Sequence, residues 1–263
     1  MEKKGIVVLF IALVLCQCVS AHMPGAAPAP AVDIESIIVS EDGSPVEITL
    51  DDVGAYHGAL TGTEPDVCIC CGCAYRALLS GIKELWGDEI PERSDIGLKS
   101  GLVSDGSIHV AWYVTGTGPD MDPRYRGTAE FIRADGSAIA NLTKSEIKKC
   151  SQERTCECFW FEITRISTGE SVKRTVSGEI FPDGFQEMRK KVNVDKTATP
   201  EEIKQFASDY SATRDAVLQK PDYEIFDEIE EPPEEAPDVV GGGIFLALLC
   251  CLCIGLIVMR KRS

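Results

Sequence analysis

Residues 68–87 read CICCGCAYRALLSGIKELWG, four cysteines within six residues followed by an amphipathic run. The apolar side chains after the cysteines recur at the spacing of one helix face, at Tyr75, Leu78, Leu79, Ile82 and Leu85. Gly87 supplies a helix end. We therefore predict a helix that begins near Gly72, ends at Gly87 and carries the cysteines at its N-terminal end.

Two further helices and a strand are predicted on either side of this helix. Thr49-Leu-Asp-Asp52 is a capping box, which predicts a short helix through Tyr56 and His57. Thr199-Pro-Glu-Glu202 opens a final helix, because threonine caps well, proline suits the first helical position and glutamates favour the positive end of the dipole. The apolar run 108–114 predicts a strand.

Two hairpins are predicted between these helices. Residues 128–133 and 138–142 flank an Ala-Asp-Gly-Ser turn, and residues 158–166 and 171–177 flank a Ser-Thr-Gly-Glu turn. Helices at both ends with hairpins between them indicate an α+β fold. We expect a single domain over residues 46–226, with helices packed on a mostly antiparallel sheet.

The cysteines of this domain form two groups: Cys68, Cys70, Cys71 and Cys73, then Cys150, Cys156 and Cys158. Seven is an odd number, so disulfides cannot pair them all within one chain. Close neighbours in the first group also pair with strained geometry. Thiolates are soft metal ligands, although Cys-x-Cys-Cys-x-Cys fits neither the usual zinc-knuckle spacing nor the common ferredoxin spacings. Metal ligation, disulfides between the groups and free thiols all remain open.

Two histidines accompany the cysteines. His57 lies 11 residues before Cys68, and a neutral imidazole is a common metal ligand. The other interpretation of His57 is a hydrogen-bonded side chain at a helix end. His109 falls in the predicted strand and is expected to carry no chemistry.

The two ends of the chain predict a membrane anchor. A basic start, an apolar run and a small-residue cleavage site are typical of a signal peptide, and 21 uncharged residues followed by Arg-Lys-Arg are typical of a membrane helix that holds its basic end in the cytoplasm. We expect residues 22–238 outside the cell membrane. The predicted segments are a signal peptide (1–21), a flexible lead (22–45), an acidic proline-rich tether (227–238), a transmembrane helix (239–259) and a basic tail (260–263).

The charge and the motifs limit the function classes. Lys and Arg total 26 against 42 Asp and Glu, a formal net charge of −16, so the surface repels phosphate backbones and a nucleic-acid partner is excluded. The sequence contains no Gly-x-Ser-x-Gly elbow and no phosphate-binding loop, so serine-hydrolase and P-loop chemistry lack support.

The order of several motifs resembles the FmdE family, which is associated with formylmethanofuran dehydrogenase. Tyr56-His-Gly58, Cys68 and Ala74-Tyr-Arg76 match its first signature, and 105–114 with Thr115-Gly-Thr-Gly118 matches the second. Residues 161–176 and 199–226 fit the family's C-terminal part, so the resemblance covers about residues 46–230. Three family positions differ: Ala59 replaces a histidine, Thr117 replaces a cysteine, and a further cysteine is missing near Leu102 and Val103.

The resemblance implies a metal-binding protein that forms a homodimer. It makes His57 and Cys68 the inherited ligands, with the site completed by Cys70, Cys71, Cys73, Cys156 and Cys158. The expected ion is zinc, with an iron–sulfur cluster as the alternative. An enzymatic activity does not follow from the resemblance.

The sequence is therefore compatible with three functions. The first is a membrane-anchored extracytoplasmic domain with a thiolate-rich metal site. The second is a disulfide-stapled surface domain without metal or catalysis, held by bridges between the two cysteine groups. The third is a thiol redox protein that uses Cys70 and Cys71.

Overall fold

A computed structural model describes residues 23–232, and residues 23–229 belong to one compact unit. The strands are β1 (Ile37–Glu41), β2 (Ser44–Ile48), β3 (Ile96–Ser100), β4 (Thr128–Phe131), β5 (Trp160–Arg165) and β6 (Glu170–Thr175). The α-helices are α1 (Leu50–Thr61), α2 (Ile69–Trp86), α3 (Asp105–Thr115), α4 (Lys144–Glu153), α5 (Phe185–Arg189), α6 (Pro200–Gln219) and α7 (Asp222–Ile225). A single π-helical turn continues α5 over Lys190–Val194.

The strands form two sheets. β1 and β2 make a separate antiparallel hairpin, and the larger sheet has the strand order β4-β3-β5-β6. β3 pairs antiparallel with β5 and parallel with β4, and β5 pairs antiparallel with β6. The α+β class is confirmed, and most strand pairs are antiparallel as expected.

Helix α2 lies at the centre of the domain, between the larger sheet and α6. A Cβ added at Gly81 would lie 2.8 Å from Ile163 of β5, so the helix backbone lies directly on the sheet. Gly72 faces α6 in the same way, 3.1 Å from Leu218. Tyr75 and Leu78 on the same helix are fully buried. Small residues thus let two neighbouring elements approach the α2 backbone closely.

The start of α2 differs from the prediction. The helix begins at Ile69 instead of near Gly72, and Cys68 is its N-cap. Three of the four clustered cysteines therefore lie within the first two turns of the helix. The apolar stripe begins only after Gly72, and cysteine is not one of the residues that usually cap a helix. Neither feature therefore predicts a start at Ile69.

The predicted strand over 108–114 is wrong, because these residues belong to α3. Ser104 caps this helix reciprocally with Ser107, and Gly116 ends it with φ 69°. A short run of aromatic and β-branched residues is compatible with either a strand or a helix. Here the capping box of Ser104 and Ser107 favours the helix. His109 is therefore a helical residue.

The hairpins are partly as predicted. β5 and β6 form the second expected hairpin in full register. In the first, β4 is formed, but the segment after the turn contributes only an isolated bridge between Ile132 and Ala138. The Asp-Gly turn therefore reverses the chain without a second strand.

The ordered domain begins before residue 46. The stretch 22–45, expected as a flexible lead, contains β1 and the start of β2, and Met23 is fully buried. Arg214 of α6 donates to the carbonyl oxygens of Ala27 and Pro28 at 2.7 and 2.8 Å. This stretch is held because a buried guanidinium satisfies its backbone acceptors.

The C-terminal end of the described chain docks on the sheet. Phe226 is fully buried and bridges to Val176, which follows β6. The predicted signal peptide (1–21), membrane helix (239–259) and basic tail (260–263) lie outside the described residues, as does the second half (233–238) of the tether (227–238). Between residues 23 and 232, no helix combines the length and the apolar character that a membrane crossing requires.

Candidate metal centre

His57, Cys68 and Cys71 form one buried group. One ligand atom from each lies within 4.8 Å of the others, and the three residues are 0%, 4% and 0% exposed. The group brings together α1, which carries His57, and the N-terminus of α2, which carries both sulfurs. A nitrogen and two sulfurs at this spacing could hold a metal ion.

Helix α1 and the loop behind it set the position of His57 relative to Cys68. Thr49 and Asp52 form the predicted capping box at the start of α1. At the other end of α1 the chain turns back along the helix, and a Cβ on Gly58 would lie 3.0 Å from the carbonyl oxygen of Glu64. Gly54 similarly faces Val67 at 3.2 Å. Because Gly54 and Gly58 carry no side chain, the loop can lie close to α1. This approach places Cys68 next to His57.

The two sulfurs lie together because of the start of α2. Cys68 Sγ accepts a hydrogen bond from the Cys71 backbone N–H at 3.3 Å, as an N-cap side chain does. The Cys68 thiol also donates to Cys71 Sγ, with 3.3 Å between the sulfurs. Two residues separate these cysteines, so the crowded run contains the zinc-type Cys-x-x-Cys spacing that the run as a whole obscured.

Helix α3 closes the opposite side of the group. A Cβ built on Gly106 would lie 2.6 Å from Cys68 Sγ and 3.0 Å from Cys71 Sγ. One turn later, His109 Nδ1 lies 2.8 Å from His57 Nδ1. The apolar run around His109 indicated a strand, so this residue was not among the predicted ligands. The caps Ser104 and Ser107 were the signal that would have put Gly106 and His109 on one helix face.

Aromatic side chains surround the two imidazoles. Tyr56 packs edge-on to His109, with 6.3 Å between ring centroids, and Trp112 lies 5.5 Å from the same ring. Tyr113 contacts Tyr56 at 4.9 Å. The Tyr56 hydroxyl donates to Asp120 at 2.7 Å, which fixes the orientation of its ring. These rings pack around His109 and Tyr56, and both histidines are buried.

The surroundings favour neutral thiols when no cation is bound. A hydrogen bond from Cys70 lowers the pKa of Cys68, but the bond to Cys71 and burial outweigh it and raise the pKa of Cys68 well above the ordinary value. The bond to Cys68 and burial likewise raise the pKa of Cys70. Burial raises the pKa of Cys73. A divalent cation would compensate the cost of deprotonation, so protons and metal compete for these sulfurs.

Cys70 and Cys73 lie outside the three-residue group. Cys70 is half-buried, and Arg154 Nη1 lies 3.5 Å from its sulfur. Cys73 is fully buried two residues beyond Cys71. These cysteines adjoin the centre but do not belong to the group that converges on His57.

Cys156 and Cys158 also lie outside the group. They belong to a short 3₁₀ helix before β5, and Cys158 lines a small cavity together with Cys150 and Arg154. All seven cysteines of the described residues are free thiols. The structure therefore assembles His57, Cys68 and Cys71 out of the predicted ligands. Cys70 and Cys73 adjoin this group without belonging to it, and Cys156 and Cys158 lie in a different element.

Comparisons of the chain with protein-family models, with characterised proteins and with solved structures found no match. The donor set itself fits a single soft or borderline ion. Two sulfurs on a tetrahedral zinc lie about 3.8 Å apart, so the 3.3 Å pair needs to open by about half an ångström. The ligands of an iron–sulfur cluster bind different irons and span a wider space.

Proposed function

We propose that this chain is a metal-binding protein whose buried centre holds zinc through His57, Cys68 and Cys71. The convergence of these three ligand atoms within 4.8 Å supports the proposal. The ligands come from two elements, α1 and the start of α2, so a bound ion would cross-link them. Three protein ligands leave one position of a tetrahedral zinc for a fourth group, in a centre whose three ligand residues are all buried.

We prefer zinc to an iron–sulfur cluster because of the kind and number of ligand atoms in the group. Cysteine sulfur and histidine nitrogen are the usual protein ligands of zinc, whereas the common ferredoxin clusters require four cysteines. Zinc also balances the charge of two buried thiolates, which avoids an uncompensated charge in the core.

Elemental analysis of the purified protein tests the proposal. We expect one zinc per chain in the wild type and none in Cys71→Ser. Cys150→Ser is the matched control, because Cys150 is a free thiol of the described chain outside the ligand group, and it should keep its zinc. A wild-type protein that is folded, free of metal and unable to take up zinc would refute the proposal.

A thiol redox role is the second candidate, and the 3.3 Å between Cys68 and Cys71 sulfurs supports this pair over the expected Cys70 and Cys71. A Cys-x-x-Cys pair at a helix N-terminus is a common dithiol arrangement. In this role the two thiols would reduce oxidised glutathione to two molecules of glutathione and become a disulfide. Mass spectrometry after this treatment should show a Cys68–Cys71 bond, and reaction at other cysteines alone would reject the role.

The anchoring and assembly of the protein remain proposals from the sequence. The termini support a single-pass protein with its domain outside the cell, and the motif order supports a relative of the FmdE family that forms a homodimer. Disulfide staples between the cysteine groups are the contrasting proposal for an oxidising exterior. Mass mapping of the secreted domain without reduction distinguishes staples from ligands.

A further inference from the structure

We infer that His109 is the fourth ligand of the centre, which completes a Cys₂His₂ site together with His57, Cys68 and Cys71. The inference rests on the proposed metal binding at this site. It assigns a role to a residue that the sequence pattern had placed in a strand without chemistry. It also fixes the coordination as closed, without a position for substrate.

The contact between the imidazoles is the first support. The two Nδ1 atoms lie 2.8 Å apart in a buried position. Each neutral imidazole has one N–H and one lone pair, so two facing Nδ1 atoms must share either one proton or a cation. A metal between them replaces that shared proton and uses both lone pairs.

The path of α3 is the second support. Gly106 approaches both sulfurs so closely that any side chain there would displace them. His109 follows three residues later, and residues at this spacing share one helix face. The same face of α3 therefore covers the sulfurs with its first turn and presents an imidazole to His57 with its second.

Charge and burial are the third support. Two thiolates, two neutral imidazoles and a divalent zinc sum to zero, and His109 is 7% exposed beside three ligands that are exposed by 4% or less. A neutral, saturated site is the least costly way to bury an ion. Two nitrogens on a tetrahedral zinc lie about 3.3 Å apart, so the two imidazoles need to separate by about half an ångström. His109 lies outside the group whose ligand atoms are all within 4.8 Å of one another, so its ring also has to move towards the sulfurs when the ion binds.

X-ray absorption spectroscopy of the zinc-loaded wild type tests the inference without a variant. The expected first shell is two sulfurs and two nitrogens, with outer-shell scattering from two imidazoles. In His109→Ala one imidazole should be lost, and the zinc affinity should fall at least tenfold. Trp86→Phe is the matched control, because Trp86 is a buried aromatic residue at the opposite end of α2 from the cysteines, and it should keep two imidazoles.

The outcomes separate the two proposals. Zinc bound by the wild type through two sulfurs and a single imidazole would overturn the fourth-ligand inference and leave the metal-binding proposal intact. A wild type that takes up no zinc would overturn both. If His109→Ala does not fold, the wild-type spectrum alone decides the number of imidazoles.

Discussion

Gly106 occupies a position where a side chain cannot fit. Its Cα faces the two sulfurs of the centre from the first turn of α3, and a Cβ there would come as close as 2.6 Å to Cys68. Contacts of that length force a neighbour to move. The neighbours here are the proposed ligand atoms, so this glycine sets how closely α3 can approach the metal.

Gly106→Ala should therefore weaken metal binding at least tenfold while the protein remains folded, because alanine favours the helix but displaces the sulfurs. The measurement is a zinc titration against a chromophoric competitor. Gly178→Ala is the control, since a Cβ on Gly178 meets no atom within 4 Å. Equal affinities for the two variants would contradict the proposed position of the ion.

Tyr75 links α2 to the β1–β2 hairpin. Its hydroxyl donates to the carbonyl oxygens of Ile48 at 2.9 Å and Glu35 at 3.1 Å, and the residue is fully buried. Burial raises the pKa of Tyr75 to about 12. The folded state thus holds the neutral phenol more strongly than the unfolded chain, where the pKa is close to 10.

Stability should consequently fall as the pH rises from about 10 to about 12, since the contribution of a raised pKa is complete below the unfolded value and is lost through the folded value. Tyr75→Phe should lower the free energy of unfolding by about 1–2 kcal/mol at neutral pH and reduce the alkaline loss. Urea unfolding at several pH values measures both effects. Tyr223→Phe, at a half-buried position near the end of the domain, should retain the alkaline loss.

Helix caps decide local structure in several parts of this domain. Thr49, Ser104 and Thr199 each accept a hydrogen bond from the third residue of the helix that follows. The caps of α1 and α6 could be predicted because an acidic residue completes each box. In α3 the partner is Ser107, which made the box inconspicuous and let the apolar run suggest a strand.

The caps of α3 and α6 provide a matched pair of variants. Ser104→Ala and Thr199→Ala each remove one N-cap and should lower the free energy of unfolding by about 1 kcal/mol. Only Ser104→Ala should also lower zinc affinity, because α3 alone carries Gly106 and His109. Thermal unfolding and zinc titration of both variants check this. Comparable zinc affinities in the two would show that the start of α3 has no part in the site.

Periodic and turn patterns revealed many of the elements. The apolar stripe after Gly72 and the Ser-Thr-Gly-Glu turn predicted most of α2 and the β5–β6 hairpin, because each pattern is local and strong. The β1–β2 hairpin was missed, since its five-residue strands follow an Ala- and Pro-rich segment. It is held by contacts distant along the chain that no local pattern shows, such as the bridge from Ser40 to Glu92 and the hydrogen bond from Tyr75 to Ile48.

On the scale of the whole molecule, the candidate centre ties together separate parts of the chain. Its ligands lie on α1 and α2, with α3 against them, and none of these helices depends on the ion for its own hydrogen bonds. An ion that binds only the folded arrangement stabilises the domain by mass action. The proposed zinc would therefore act on global stability.

Zinc at about 100 times its dissociation constant should stabilise the protein by about 2.7 kcal/mol, which raises Tm by roughly 5–10 °C for a domain of this size. Scanning calorimetry with zinc and with a chelator measures the difference. Cys71→Ser should show the chelated Tm in both conditions. An identical Tm for wild type with and without zinc would indicate that no ion binds the folded state preferentially.

The site was only partly predictable because it depends on tertiary packing. His57 and Cys68 were found from their motif context, and Cys71 from the density of sulfurs. The separation of Cys70 and Cys73 from the group follows from the exact helical phase at the start of α2, which a predicted start three residues later obscured. His109 required the docking of α3 on α1, which spacing along the chain does not reveal.

The hydrogen bonds from Arg214 to the carbonyl oxygens of Ala27 and Pro28 join positions that lie 187 and 186 residues apart in the chain. During translation Arg214 is added near the end of the domain, after the four proposed ligands have already been synthesised. The proposed ligands are thus complete while the first segment still lacks its anchor. The first segment can therefore dock only after translation has supplied the helix that closes the domain.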